Sequence, residues 1–125
     1  RAFGPGMPGL PPQYQKTGQP VIIGGSMETG SYLLVGMEGG SETFFTTAHG
    51  SGRTMSRAAA KKRFRGHELR ETMEARGIYV RSATYSGLAE EAGPAYKDID
   101  EVMDDAAPLV RILHKLRQIV NVKGT

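Results

Sequence analysis

The chain has 125 residues, enough for one compact domain, and a formal net charge of +3 from 16 Lys and Arg against 13 Asp and Glu. It contains no cysteine, which excludes disulfides and thiolate metal sites and leaves a cytoplasmic location as the default expectation. No apolar run approaches the roughly 20 residues that span a bilayer, and no signal peptide precedes the first polar residues, so no membrane partner is expected.

The first part of the chain is predicted to be irregular and the next part to form strands. Residues 1–20 are rich in proline and glycine and show no apolar period, which predicts an extended arm or a loop lying against a surface. Short apolar runs between glycine-bearing turns then predict strands over Val21–Ile23 and Tyr32–Val35, with a third strand around Thr43–Thr47.

Two helices are predicted in the middle of the chain. One would begin at Ser51 or Gly52 and end near Lys62, because Arg53, Arg57 and Lys61 then recur at intervals of four on one face. The second would cover Gly66–Ala75 and end at Gly77, a residue suited to the left-handed position after a helix.

The remaining segments complete an α+β pattern. Ile78–Val80 is predicted as a strand, Asp98–Ala106 as a short acidic helix, and Leu109–Val122 as one or two strands. The fold class is therefore α+β, with a mixed sheet and short helices.

Charge is unevenly distributed along the chain. The stretch from Arg53 to Arg65 holds six basic residues and no acidic ones, whereas Glu90 to Asp105 holds seven acidic residues and one lysine. The basic stretch could bind a polyanion such as the backbone of RNA, or it could be an ordinary solvated helix face.

The segment Thr46–Arg53 has the composition of a phosphate-binding turn. Gly50 and Gly52 allow the backbone to approach a ligand, and the predicted helix start would present unpaired N–H groups and partial positive charge. Arg53 could add a charge-assisted contact, and His49 could attack phosphorus as a neutral imidazole. The alternative is a tight turn in which His49 is only a hydrogen-bonded structural residue.

Four ordered blocks of the sequence resemble the RtcB family of GTP-dependent RNA ligases. They are GQPVIIGGSMETGSYLLVG (Gly18 to Gly36), ETFFTTAHGSGRTMSR (Glu42 to Arg57), EEAGPAYKDIDEV (Glu90 to Val102) and IVNVKG (Ile119 to Gly124). The resemblance implies the family's mixed fold of sheet and helices, with residues 21–125 as the C-terminal part of its catalytic domain.

The resemblance also implies an activity. Family members join RNA ends that carry a 3′-phosphate or 2′,3′-cyclic phosphate to 5′-hydroxyl ends, as in tRNA splicing and RNA repair, and they use GTP and manganese. Their guanylylated histidine matches His49. The implied partners are tRNA halves or broken RNA, the N-terminal portion of the same enzyme and, for some members, an activating protein.

The family's nucleotide-contacting positions carry over to specific residues here. They are Gly24, Gly25, Ser26, Met27, Ser31, His49, Gly50, Ser51, Gly52, Tyr96 and Lys123, with Arg53 and Arg57 as phosphate or RNA contacts. Each has a simpler reading: the glycines as turn residues, the serines as caps, Tyr96 as core and Lys123 as a solvated tail charge.

The chain differs from the RtcB family pattern in two respects, and the family's metal ligands are the first. These manganese ligands, a cysteine, an aspartate and several histidines, belong to the preceding three quarters of the enzyme, so no metal ligand is expected here and the isolated chain is expected to be inactive. Glu28 stands where members more often have a small residue, and its carboxylate is expected to point away from a triphosphate.

Two other classes of function remain open from the sequence. The chain could be a phosphate- or RNA-binding module without catalysis, in which case His49 would be replaceable. It could also be a structural piece that folds only against an N-terminal partner.

Overall fold

The computed structural model describes residues 1–124, and within them the strands form two separate sheets. Strands β1 (Pro20–Gly24), β2 (Ser31–Gly36) and β4 (Val110–Leu116) make an antiparallel sheet in the order β1-β2-β4. Strands β3 (Tyr79–Ser82) and β5 (Val120–Lys123) pair in parallel. The predicted α+β class is confirmed, with the antiparallel and parallel pairings divided between the two sheets.

Short helices connect these strands. The α-helices are α1 (Arg57–Arg63), α2 (Gly66–Ala75), α3 (Tyr85–Ala89) and α4 (Ile99–Ala106). Short 3₁₀ helices cover Pro12–Tyr14, Glu38–Thr43 and Gly93–Ala95. None of the helices in the described part of the chain is long and apolar enough to cross a membrane.

The first hydrophobic core lies between α4 and the antiparallel sheet. Ile99, Met103 and Ala106 recur at helical spacing on α4, and all three are buried against residues that include Ile23 and Leu34 of the sheet. The helix begins at Asp98, whose carboxylate accepts a hydrogen bond from the backbone N–H of Asp100 at 2.8 Å.

The second core lies under the parallel strand pair. Met73 of α2, Val80 of β3 and Leu88 of α3 are almost completely buried together. Met27 packs into this core although it follows β1 of the first sheet, so the turn after β1 connects the two cores.

Residues 1–20 lie against the antiparallel sheet. Ala2 is buried in the first core, and its N–H donates to the carbonyl of Phe45 at 2.9 Å. Gln19 donates to the carbonyl of Phe3, and its own carbonyl accepts from Gly36 at the end of β2. These backbone hydrogen bonds hold the segment beside β2 without making it a regular strand.

The predicted third strand at Thr43–Thr47 is wrong. The 3₁₀ turn ends at Thr43, and Phe44 and Phe45 follow with φ angles of 54° and 57°, in the left-handed region that a strand cannot contain. The ring of Phe45 packs at 5.4 Å from that of Phe3, so aromatic packing and the turn outweigh the local strand preference.

The predicted start of the first helix is also wrong. Helix α1 begins at Arg57, where the hydroxyl of Ser56 accepts from the N–H of Ala59 at 3.1 Å and caps the helix. Arg53 lies outside the helix and pairs through its backbone with Tyr96. Only Arg57 and Lys61 therefore share the predicted basic face.

The other predicted elements are confirmed to within a few residues. They are the strands β1, β2 and β3, helix α2 and helix α4. Gly77 has φ of 79°, the left-handed conformation expected after α2. The segment Leu109–Val122 forms two strands, which join different sheets.

Much of the apolar surface of the last two strands is exposed. On β4 only Val110 is buried, and Ile119, Val120 and Val122 of the following segment are more than half exposed.

The close approach between β2 and the first residues can be tested by substituting Gly36 with alanine. A Cβ at this position would lie 2.3 Å from the carbonyl oxygen of Phe3, so the backbone must move. We expect Gly36→Ala to lower the free energy of unfolding by about 1–3 kcal/mol in urea denaturation. Gly24→Ala is the matched control, because a Cβ there meets no atom within 4 Å. Equal stability of the two variants would contradict the packing of residues 1–20 on the sheet.

Candidate functional site

The segment that contains His49 is held by backbone hydrogen bonds to two other parts of the chain. The N–H of Ser51 donates to the carbonyl of Gly24 at 3.0 Å, at the end of β1. On the other side the carbonyl of Gly52 accepts from Lys97 at 2.9 Å. Gly52 has φ of 75°, a conformation that favours glycine. The segment is therefore fixed between the sheet edge and the residues before α4.

The turn after β1 lies beside this segment. Its ends are joined by a hydrogen bond from Gly25 to the carbonyl of Gly30 at 3.1 Å, and the N–H of Ser26 donates to the Thr29 hydroxyl at 2.8 Å. A Cβ on Gly25 would lie 2.3 Å from that hydroxyl, so the turn requires glycine there. Ser31, the first residue of β2, pairs with Gly24.

Strand β5 comes to the same turn from the end of the chain. Asn121 donates through its side-chain amide to the carbonyl of Met27 at 3.2 Å, across 94 positions of sequence. Gln118, just before β5, donates to the carbonyl of Ser26 at 2.6 Å. These contacts place Lys123 on a strand that is tied to the predicted nucleotide-binding turn.

A cluster of four charged and polar side chains completes the site, and we call it the Glu91 cluster: Arg53, Glu91, Tyr96 and Lys123. Oε2 of Glu91 accepts from the Tyr96 hydroxyl at 2.7 Å and lies 3.5 Å from Nζ of Lys123. Oε1 of Glu91 lies 3.6 Å from Nη1 of Arg53. The guanidinium of Arg53 stacks over the Tyr96 ring at 4.7 Å.

Contacts within the cluster shift the pKa values of Glu91 and Tyr96. Burial by itself would raise the pKa of Glu91, but the hydrogen bond from Tyr96 and the charges of Lys123 and Arg53 outweigh it, so the pKa lies below its usual value. Burial, followed by the hydrogen bond to Glu91 and its charge, raises the pKa of Tyr96. At neutral pH the cluster therefore holds an ionised Glu91 and a neutral phenol.

The predicted anion site at a helix N-terminus beside Gly50–Gly52 is not formed, because no helix begins there. Helix α1 starts four residues after Arg53, so its first N–H groups are not at the Gly50–Gly52 turn. The donors of Arg53 are used within the chain: Nε binds the carbonyl of Met55, Nη1 the Tyr96 hydroxyl and Nη2 the carbonyl of Glu90. Its role as a phosphate contact remains a prediction.

His49 is exposed, and its imidazole makes no hydrogen bond or ion pair within residues 1–124. On either side of it, Thr47 and Ser51 carry hydroxyls that are buried and have no partner in the described part of the chain. A buried hydroxyl without a partner costs free energy, so each of these two calls for a water, an ion or a ligand to bind it. The arrangement differs from the simpler reading, in which His49 is a hydrogen-bonded structural residue.

One cavity lies beside the His49 segment, and a second cavity lies away from it. One of about 640 Å³ is lined by Ser51, Gly52 and Tyr96 on one side and by acidic residues of α4 on the other. A larger one, of about 720 Å³, lies between Lys115 and Arg76 and contains none of the predicted nucleotide-binding residues. The smaller cavity is the one that predicted nucleotide-binding residues line, namely Gly50, Ser51, Gly52 and Tyr96.

Glu28 is occupied by contacts within the chain. Its carboxylate accepts a hydrogen bond from the N–H of Gly93 and lies 4.0 Å from the guanidinium of Arg76. Residues 1–124 contain no group of three or more His, Cys, Asp or Glu side chains arranged to hold a metal ion. The described residues by themselves therefore present no set of ligands for manganese.

Glu91 is not among the site residues predicted from the sequence. Its carboxylate meets Tyr96 only because a 3₁₀ turn over Gly93–Ala95 brings the two together, and it meets Lys123 across 32 positions. The only local signal was the position of Glu91 in the block that also contains Tyr96.

Comparison with known proteins matches the whole described chain to one family, described as tRNA-splicing ligase RtcB, over residues 1–124. The protein named tRNA-splicing ligase RtcB from Archaeoglobus fulgidus is 50% identical over 127 residues, covering 99% of this chain and 26% of that protein. The protein of that name from Pyrococcus furiosus is 46% identical, with 99% of this chain and 13% of that protein covered. RNA-splicing ligase RtcB homolog 2 of Entamoeba dispar is 45% identical, with 99% and 24% covered. The chain thus spans about a quarter or less of the length of these relatives.

The Glu91 cluster predicts a pH-dependent contribution to stability. A carboxylate whose pKa is lowered on folding stabilises the native state above its unfolded pKa of about 4.3, and this contribution is lost as the pH falls through the folded pKa. We expect Glu91→Gln to lower the free energy of unfolding by about 1–3 kcal/mol at pH 7 and by much less in strong acid.

Glu90→Gln is the matched control for this measurement. Its carboxylate pairs at 2.7 Å with Lys61, whose side chain is 44% exposed, so its loss should cost less than about 1 kcal/mol. Urea denaturation of both variants between pH 3 and 7 makes the comparison. An effect of Glu91→Gln that does not change with pH would contradict the ionic character of the cluster.

Proposed function

The chain belongs to the RtcB family of tRNA-splicing ligases, and on that premise we propose that it supplies the nucleophile and part of the guanine pocket of an RNA ligase. The proposed enzyme depends on GTP and manganese and joins 3′-phosphate or 2′,3′-cyclic phosphate RNA ends to 5′-hydroxyl ends. His49 is proposed to become guanylylated during each cycle.

The observation that carries the proposal is that three separated segments, one of which carries the exposed His49, are joined to one another. The turn after β1, the His49 segment and strand β5 are joined by the hydrogen bonds from Ser51 to Gly24 and from Asn121 to Met27. The convergence follows from hydrogen bonding and packing, and it unites the positions that the family resemblance assigns to the nucleotide.

The chemistry proposed for His49 is attack on phosphorus. A neutral imidazole nitrogen forms a bond to the α-phosphorus of GTP while the bond to the pyrophosphate oxygen breaks, leaving GMP on the histidine. The RNA 3′-phosphate then takes GMP from His49, and the 5′-hydroxyl displaces GMP to form the new phosphodiester. The exposure of His49 supports this role, because the imidazole must reach two substrates in turn.

Guanine recognition is proposed for the side of the site occupied by Tyr96 and Lys123. Guanine presents O6 and N7 as acceptors along one edge, and a lysine ammonium can donate to both. The phenol of Tyr96 and the ammonium of Lys123 are held by the same oxygen of Glu91, so they can act on one base together.

RNA contact is proposed for the exposed basic residues of α1. Arg57 lies at the start of that helix and lines a small cavity of about 280 Å³ together with Lys123. Contacts of arginine and lysine with phosphates supply most of the affinity of proteins for nucleic acid. A basic surface next to the nucleotide pocket suits an RNA end that must approach His49.

Manganese would supply Lewis-acid polarisation of the phosphates. Residues 1–124 hold no cluster of three or more side chains that could bind it. We therefore assign the metal to the part of the relatives that this chain does not match. The 125-residue chain alone is expected to be catalytically silent.

Replacement of His49 tests the central proposal. A chimaera in which this chain replaces the matching 127 residues of the Archaeoglobus fulgidus relative is incubated with labelled GTP and manganese. We expect an acid-labile, alkali-stable GMP adduct, and none in the variants His49→Ala and His49→Gln, because neither side chain can attack phosphorus usefully. His67→Ala is the control, since His67 is an exposed histidine on α2.

An adduct that survives the His49 substitutions would remove the proposed nucleophile. Binding of RNA by the chimaera with no adduct in any variant would instead favour a non-catalytic phosphate- or RNA-binding module. Efficient guanylylation of the 125-residue chain by itself would contradict the assignment of the metal.

Replacement of Lys123 tests the guanine pocket separately. We expect Lys123→Ala to reduce the preference for GTP over ATP by about tenfold or more, because a contact to a base edge contributes about 1–3 kcal/mol of discrimination. The measurement compares adduct formation with the two nucleotides in the chimaera. Lys16→Ala, at an exposed lysine of residues 1–20, should leave the ratio as it is. An unchanged ratio in Lys123→Ala would make Lys123 a solvated tail charge.

A further inference from the structure

We propose that Glu91 is a positioning residue that sets the guanine selectivity of the site by fixing the ammonium of Lys123 beside the Tyr96 phenol, on one carboxylate oxygen. The inference rests on the proposed function, because it concerns the same nucleotide pocket. It adds a residue that the family resemblance did not assign to the nucleotide.

Glu91 contacts Tyr96 and Lys123 through the same carboxylate oxygen. One of its oxygens, Oε2, accepts from the Tyr96 hydroxyl at 2.7 Å and lies 3.5 Å from the ammonium of Lys123. A phenol and an ammonium that share one acceptor atom are fixed relative to each other, although their residues belong to different segments. The other oxygen lies 3.6 Å from Arg53, which stacks on the Tyr96 ring and holds that ring from its face.

Glu91 itself is held firmly enough to act as an anchor. It directly follows the turn that ends α3, and its N–H donates to the carbonyl of Leu88 at 3.1 Å. Leu88 is almost completely buried in the second core. The Glu91 side chain is only 18% exposed, so the ion pair with Lys123 is less screened by water than a surface pair.

Lys123 depends on such an anchor more than the other members do. It is close to the end of β5, and lysine has several freely rotating bonds, so an unheld ammonium would sample many positions. A fixed ammonium favours the O6 and N7 acceptors of guanine and opposes the amino group that adenine carries at the equivalent edge. Loss of the anchor should therefore weaken the use of GTP and leave that of ATP nearly unchanged.

A double-mutant cycle in the chimaera tests this mechanism. We expect Glu91→Gln to lower the GTP to ATP ratio of adduct formation by about fivefold, a coupling typical of residues in contact. In the Lys123→Ala background the same substitution should leave the ratio unchanged, because its effect passes through the ammonium. Glu90→Gln, which removes the neighbouring carboxylate that pairs with Lys61, should not alter the ratio.

A purely structural role for Glu91 gives a different result. It would reduce the amount of folded enzyme and the reaction with both nucleotides equally, with the GTP to ATP ratio preserved. A preserved ratio, or an effect that persists in the Lys123→Ala background, overturns the inference.

A second measurement does not depend on activity. In the 125-residue chain, nuclear Overhauser contacts between the Tyr96 ring and the Lys123 side chain should be present in the wild type and in Glu90→Gln, and lost in Glu91→Gln. Contacts that persist in Glu91→Gln overturn the inference. If the chimaera with the unsubstituted chain forms no adduct, the proposed function fails, while this comparison still decides whether Glu91 positions Lys123.

Discussion

The site depends on one constraint, which is that the backbone groups of residues 47–54 must find hydrogen-bond partners outside their own segment. A helix or strand satisfies its own N–H and C=O groups or those of a neighbouring strand, but this segment is irregular and partly buried. Ser51 therefore donates to Gly24, Gly52 accepts from Lys97, and Thr54 donates to Ala95. These three contacts bring the sheet edge, the histidine and the residues before α4 into one place.

The two hydrophobic cores give this arrangement its support. Helix α4 buries Ile99 and Met103 on the antiparallel sheet, which fixes the end of β1 relative to the residues that precede the helix. Helices α2 and α3 bury Met73 and Leu88 on the parallel pair, which fixes Glu91 relative to β5. Met27, in the turn between the cores, is buried in the second one. The site thus lies where two separately packed units meet.

The charges at the site are organised around an anion rather than around the basic face of a helix. Glu91 is ionised, partly buried and in contact with two cations and a phenol, so these contacts fix the polar groups near the proposed nucleotide positions relative to one another. The exposed cations of α1 lie outside this cluster, with Lys61 paired to Glu90. The proposed recognition of a base and the proposed attraction of a polyanion therefore belong to different groups of side chains.

Elements with strong local signals can be predicted from the amino-acid sequence. The apolar runs of β1 and β2, helix α2 with its glycine stop, and the short acidic helix α4 all appear as predicted, because short-range hydrogen bonding and burial of one face suffice to specify them. The resemblance to a known family likewise needed only the order of four blocks. Three other features become visible only in the folded chain. They are the start of α1, the left-handed turn at Phe44 and Phe45, and the ion pair between Glu91 and Lys123. Each of these depends on partners distant in sequence, whose packing and hydrogen bonds outweigh local preference.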